Sequence, residues 1–212
     1  MRQLKPAPTA HNVQPLALQP MLTPKAVLTR KTLSAMVFLT ALFLSLTAQA
    51  QLAPGAKAPE FKAQAALAGQ AFEFDLQAAL QKGPAVVYFY PKAFTSGCTI
   101  EAQLFAQSMD DFQALNATVV GVSGDNIDTL KKFSEGPCGG KFAVAADPDG
   151  EVIGLYDAGF AIIPGMADRI SYAIAPDGTI LEAFESMSPA QHVTKTLDAI
   201  RAWQTDASGQ SK

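Results

Sequence analysis

Cys98 is the residue in this 212-residue chain whose type and setting best suit chemistry. It lies in the stretch Val86 to Glu101, which reads V-V-Y-F-Y-P-K-A-F-T-S-G-C-T-I-E. The unbroken apolar run Ala85 to Tyr90 predicts a strand buried on both faces; Pro91 stops it, and Thr95-Ser96-Gly97 leads into a helical pattern. Cys98 is therefore expected in the first turn of a helix that follows a central strand. First-turn N–H groups lack an intrahelical partner and favour an anion, so they favour thiolate over thiol. Cysteines so placed are acidified from about 8.5 to roughly 3.5–7.5. The competing reading is a small buried cysteine that only packs. Its neighbours Lys92, Ser96, Gly97 and Thr99 are polar or small, which favours an accessible, reactive site.

Pro91, Thr95 and Cys98, in a P-x-x-x-T-x-x-C frame followed by Glu101, resemble the active-site motif of the peroxiredoxins, most closely the bacterioferritin-comigratory or Q-type group. The resemblance implies an α/β, thioredoxin-like fold: a central mixed, mostly parallel sheet flanked by helices, with an N-terminal hairpin. It also implies a thiol-dependent peroxidase that reduces hydrogen peroxide and organic hydroperoxides, with no cofactor or metal. In that chemistry a thiolate attacks one peroxide oxygen, and donors and a cation steady the charge that develops on the other. Cys98 is matched to the attacking sulfur and Thr95 to the threonine that holds the peroxide, although Thr95 could equally only cap the helix. The strand Arg169-Ile170-Ser171-Tyr172-Ala173-Ile174 is similar to the family's R-x-S/T-F/Y-x-I, so Arg169 is matched to the cation. Its bland alternative is an arginine paired at a strand end near Asp168. Pro91 is expected to shield the sulfur from water. Glu101 has two readings, a group that orients its neighbours and a solvent-facing carboxylate that complements the helix dipole.

Two positions depart from the family. Gln103 stands where many Q-type members carry a second cysteine, and Ser96 replaces the usual proline. The other thiol, Cys138, lies in the turn Gly136-Pro137-Cys138-Gly139-Gly140, read as flexible. It matches by region the resolving cysteine of some members, which would join Cys98 in a disulfide that an external dithiol reduces. The alternatives are a one-cysteine peroxidase and a redox-inactive binding domain on the same fold.

The elements that must position these residues follow in order. A hairpin is expected within Phe61 to Phe74, then a short helix Leu76 to Gln81, the strand Ala85 to Tyr90 and a helix from about Gly97 to Ala114. Strand Ala117 to Val122, a helix to about Ser134, strand Phe142 to Ala146 and a helical stretch Glu151 to Tyr156 come next. Arg169 to Ile174 and Thr179 to Glu185 form a second hairpin, with the sheet turning antiparallel at that edge. In the last helix Ser188, Pro189 and Gln191 predict a capping box, and Val193, Leu197, Ile200 and Trp203 a buried stripe.

Residues 1–50 read as a secretory signal: a basic leader without acidic groups, the apolar run Leu33 to Leu46 and the small-x-small site Ala48-Gln49-Ala50. Met21 is an alternative start, which leaves a leader of ordinary length. Export by the general secretion pathway to the periplasm or beyond is expected, followed by one domain over 51–203 and a polar tail over 204–212. Beyond the leader eleven basic groups face nineteen acidic ones, a net charge of −8 that argues against nucleic acid or an anionic membrane as partner. The expected partners are a peroxide and an external thiol, either a thioredoxin-like protein or a small thiol, acting on a monomer or weak dimer. The absence of C-x-x-C argues against a disulfide isomerase, and His192 alone past the leader gives a Cys-His hydrolase or metal site little to build from.

Overall fold

The computed structural model describes residues 51–209; the expected secretory leader lies outside them, as do residues 210–212. The strands are β1 (Lys62–Leu67), β2 (Gln70–Asp75), β3 (Ala85–Phe89), β4 (Thr118–Ser123), β5 (Ala143–Ala146), β6 (Ile170–Ile174) and β7 (Ile180–Glu185). The helices are α1 (Leu76–Leu80), α2 (Ser96–Gln107), α3 (Met109–Ala114), α4 (Ile127–Glu135), α5 (Glu151–Leu155) and α6 (Pro189–Gly209). One sheet runs β2-β1-β5-β4-β3-β6-β7. Its centre, β5-β4-β3, is parallel, and both edges are antiparallel.

The sheet is mixed and flanked by helices, as expected, but four of its six strand pairings are antiparallel, so it is not mostly parallel, and antiparallel pairing at both edges corrects the one-edge reading. The N-terminal hairpin is part of this sheet. It joins the sheet through Ala65↔Ala145 and Ala66↔Val144, where fully buried alanines let the strands meet. Such a long-range pairing leaves no local mark in the sequence.

Alternation along β3 divides the core. Ala85, Val87 and Phe89 face α1 and α5 in a cluster with Leu76, Ile153 and Tyr156. Val86, Tyr88 and Tyr90 face α2, α4 and α6 in a second cluster that holds both cysteines. Every residue of β3 is buried.

Two helices differ from expectation. The single helix to Ala114 is broken at Ser108, whose ψ of 6° redirects the chain so that Met109 and Phe112 both stay in the core. The capping box at Ser188 is replaced: the Ser188 N–H donates to Ser186 Oγ (3.1 Å), and Ser186 Oγ donates to the Gln191 side chain (3.3 Å). The final helix also continues through the expected polar tail to Gly209.

Candidate active site

The register of β3 and β6 places the cation. Phe89 pairs with Ile170, so Arg169, one residue before β6, lies beside the end of β3 where the chain turns toward α2. Arg169 shares a sheet face with Ser171, the side that packs on α2 and α6. On α2, Cys98 and Glu101 are three residues apart and so project from one side of the helix. That side meets the guanidinium. Arg169 Nη1 donates to Glu101 Oε2, and Nη2 donates to Cys98 Sγ at 3.3 Å.

All three side chains are buried, Cys98 at 1%, Glu101 at 0% and Arg169 at 3% exposure. This corrects two expectations. The polar neighbours of Cys98 suggested an accessible sulfur, but Cys98 lies on the inward side of α2 while its neighbours take the outer one. Glu101 is likewise inside and paired, so its solvent-facing reading falls. Arg169 does not pair with the Asp168 carboxylate through its guanidinium; Asp168 Oδ1 accepts the Arg169 backbone N–H instead (2.7 Å). Burial works against the Arg169 charge, yet Glu101 and Cys98 outweigh it and hold the guanidinium protonated. Arg169 Nε is buried without a hydrogen-bond partner among the described residues. Gly97 leaves room for the approach, because a Cβ there would lie 3.1 Å from Nη2 and press the guanidinium back by a few tenths of an ångström.

The loop before α2 is held from β4. The Ala93 N–H donates to Asp125 Oδ2 (2.7 Å), which also accepts from Ser123 Oγ (2.9 Å). Phe94 takes a φ of +64° and sets its ring edge-on to Phe133, a strained backbone just ahead of α2. Pro91 is half-buried just after Tyr90. Thr95 is exposed; its hydroxyl donates to the Lys92 carbonyl (2.9 Å) and makes no cap bond, while its carbonyl accepts the Thr99 N–H.

Cys138 is not in a flexible, exposed turn. It is fully buried, and the glycines that suggested mobility build a bonded turn: Gly139 and Gly140 take positive φ, and the Gly140 N–H reaches the Ser134 carbonyl (2.8 Å). Burial pushes the Cys138 thiol up to about 12. Both thiols are free and share one apolar cluster, in which Tyr88 stacks on Phe105 and meets Phe142 edge-on.

Sequence reasoning gave no role to the layer behind Arg169. Burial lowers His192 to about 4, so the imidazole is neutral at neutral pH. Its Nε2 lies 2.8 Å from the Ser186 carbonyl, and Nδ1 lies 2.8 Å from Ser171 Oγ and 3.8 Å from Glu101 Oε1. Helical spacing could have found it, since His192, Thr196 and Ile200 fall on one buried face.

Residues 54–183 match the AhpC/TSA family model. A Helicobacter pylori peroxiredoxin, bcp, is 32% identical over 155 residues, covering 71% of this chain and 99% of its own. The Escherichia coli peroxiredoxin Bcp is 32% identical over 121 residues, covering 55% and 77%. The crystal structure of peroxidoxin BcpB from Mycobacterium tuberculosis superposes with a TM-score of 0.64 at 28% identity, covering 70% of this chain and 96% of that one. With this fold, a cysteine on the first turn of α2 and relatives alike along nearly their whole length, the chain belongs to the AhpC/TSA family as a thioredoxin-like peroxiredoxin of the Bcp/Q type, a thiol-dependent peroxidase.

Proposed function

We propose that Cys98 is the sulfur that reduces the peroxide and Arg169 the cation that supports it, the observation carrying this being the Nη2 to Sγ contact of 3.3 Å inside a buried site. The Cys98 thiolate attacks the near oxygen of ROOH. The S–O bond forms as the O–O bond breaks, the departing RO− takes a proton to become ROH, and Cys98 is left as sulfenic acid. Arg169 steadies the thiolate beforehand and the oxygen charge during the step. Thr95, whose hydroxyl is exposed one turn from the sulfur, holds the incoming peroxide, and Pro91 limits water. Peroxide consumption by the wild type and by Cys98→Ser tests this; activity surviving in Cys98→Ser would overturn it.

Cys138 then condenses with the sulfenic acid, releasing water and forming a Cys98–Cys138 disulfide that an external dithiol, a thioredoxin-like protein or a small thiol, reduces by two electrons. Since both sulfurs are buried, the first turn of α2 and the Cys138 turn must open, which also lets the Cys138 thiol return from about 12 toward its ordinary value of 9.0. The burial of Cys138 favours a second reading, a one-cysteine cycle in which an external thiol attacks Cys98 once the first turn of α2 opens. One equivalent of hydrogen peroxide followed by non-reducing peptide mapping separates them. Linked Cys98 and Cys138 peptides in a monomer support resolution within the chain, a disulfide dimer supports resolution between chains, and persistent sulfenic acid with Cys138 free supports the one-cysteine cycle.

The reading is completed by export. Intact mass from the extracytoplasmic fraction should begin at or near Gln51, after the small-x-small site at Ala48-Gln49-Ala50, and a cytosolic full-length species would refute it.

A further inference from the structure

The buried carboxyl of Glu101 presents a charge-counting problem. Arg169 offers one positive charge to two acids, Cys98 on one side and Glu101 on the other. If both ionise, the thiolate keeps only a share of its cation. The second Glu101 oxygen, Oε1, is buried with no hydrogen-bond partner among the described residues, an arrangement that disfavours a bare carboxylate. His192 Nδ1 lies 3.8 Å from it.

The imidazole is oriented for this position. Its Nε2 faces the Ser186 carbonyl, which can only accept, so Nε2 carries a proton and Nδ1 is the atom that gains or loses one. Nδ1 faces Ser171 Oγ from β6 and Glu101 Oε1 from α2; the Phe184 ring of β7 stands edge-on to the imidazole. Of the charged or titratable groups, Arg169 disfavours the charged form of the imidazole and Glu101 Oε1 faces Nδ1 at 3.8 Å.

We propose that His192 is a positioning residue for the peroxide reaction: with Glu101 it holds a single proton behind Arg169, so that the arginine charge is left for Cys98. This rests on the reading of Cys98 and Arg169 given above. Two arrangements satisfy the count, a neutral acid beside a neutral imidazole, or a carboxylate beside an imidazolium. In both the pair is neutral and Arg169 balances the thiolate. Having two places for the proton stabilises the protonated pair, which must otherwise leave a bare carboxylate in the interior.

The directions agree. Burial raises Glu101 from 4.5 to about 8 against the pull of Arg169, and burial lowers His192 from 6.5 to about 4. The raised Glu101 contributes stability that is full below 4.5 and lost as pH rises through about 8. The lowered His192 contributes stability that is full above 6.5 and lost as pH falls through about 4. Between 4.5 and 6.5 the two slopes oppose, and folding moves a proton from His192 to Glu101 without net uptake.

The test is a cycle read at the sulfur and at the imidazole. In a Cys138→Ser background the ultraviolet thiolate titration of Cys98 should move about 1 unit higher in His192→Asn or His192→Gln, with peroxide reduction about tenfold slower below the midpoint. In Glu101→Gln the same His192 substitutions should move it by less than about 0.3 unit, because the group they act through is gone. Equal shifts in both backgrounds, or no shift with His192 replaced, would overturn the proposal. Should the His192 variants fail to fold, nitrogen NMR of the intact chain reads the pair directly, since only His11 and His192 are present. In the wild type the His192 Nδ1 resonance should move as the single proton of the pair leaves on the alkaline side, near the raised Glu101 value of about 8, and in Glu101→Gln that alkaline step should vanish. An unchanged titration would refute the shared proton without touching the peroxidase reading, whereas activity in Cys98→Ser would sink that reading alone.

Discussion

Cys98 and Cys138 occupy the same apolar cluster, are both almost wholly buried and are both free, yet they are built for opposite behaviour. Cys98 lies in the first turn of a twelve-residue helix with a guanidinium nitrogen 3.3 Å from its sulfur. Cys138 lies in a glycine-built turn with no such cation beside it among the described residues, and burial raises its thiol to about 12. Burial is therefore not what makes a thiol reactive. A dry site strengthens whatever charge partner the thiolate has, and where it has none it holds the proton in place.

The widest gap this comparison predicts is between the two serine variants. Cys98→Ser should reduce peroxide no faster than solvent background. Cys138→Ser should perform the first turnover at the wild-type rate in a stopped-flow assay and fail only at disulfide formation. Loss of the first turnover in Cys138→Ser would mean that the two thiols are not separate in function.

Removing the cation should be next in size. Arg169→Ala is expected to slow peroxide reduction by about 10²–10³-fold, the usual scale for losing one preorganised charge donor. Arg169→Lys should recover little of this, because an ammonium cannot reach Glu101 Oε2 and Cys98 Sγ together as the planar fork does. Equal rates in wild type and Arg169→Lys would show that charge alone suffices. A smaller effect follows from Gly97. In Gly97→Ala the new methyl would stand 3.1 Å from Nη2 and push a buried, doubly bonded guanidinium by a few tenths of an ångström. Peroxide reduction should fall about tenfold with little change in unfolding midpoint, in keeping with what small misplacements cost. An unchanged rate would show that the Arg169 to Cys98 contact has slack.

How much of this the sequence carried depends on whether the information was local. The strand-to-helix junction was legible because an apolar run, a proline and a cysteine in order specify it, and β3 and α2 fall there. Arg169 was legible through its motif, but its partner Glu101 was not, since a carboxylate three residues after a cysteine looks the same on either side of a helix until the sheet behind it is known. The depth of Cys98 and Cys138 is hidden in the sequence for one reason: small and polar neighbours suggest exposure, whereas a helix or tight turn sends adjacent residues to opposite sides. His192, alone past the leader, shows no metal or hydrolase pattern in the sequence. Its spacing with Thr196 and Ile200 was the available signal that it points inward.

The smallest expected effect sharpens the comparison at the Cys138 end. The β1–β2 turn lies over the Cys138 turn. The Gly69 N–H donates to Ser134 Oγ (2.9 Å), that hydroxyl donates to the Lys131 carbonyl (2.7 Å), and Ala68 Cβ lies 3.3 Å from the point a Cβ on Gly140 would occupy. Ser134→Ala removes the acceptor of Gly69 and leaves a part-buried donor without its partner, at a cost of about 1 kcal/mol. If Cys138 is released by local opening of this turn, the open population should rise roughly fivefold, as that energy dictates. Alkylation of Cys138 in reduced Cys98→Ser protein reads it directly. The rate should rise by that factor in the Ser134→Ala variant and stay level in dilute denaturant, because local opening exposes little surface. A rate that climbs with denaturant from the first addition would mean that Cys138 is reached only by global unfolding, and the difference between the two cysteines would then be fixed by the fold as a whole and not by one hinged turn.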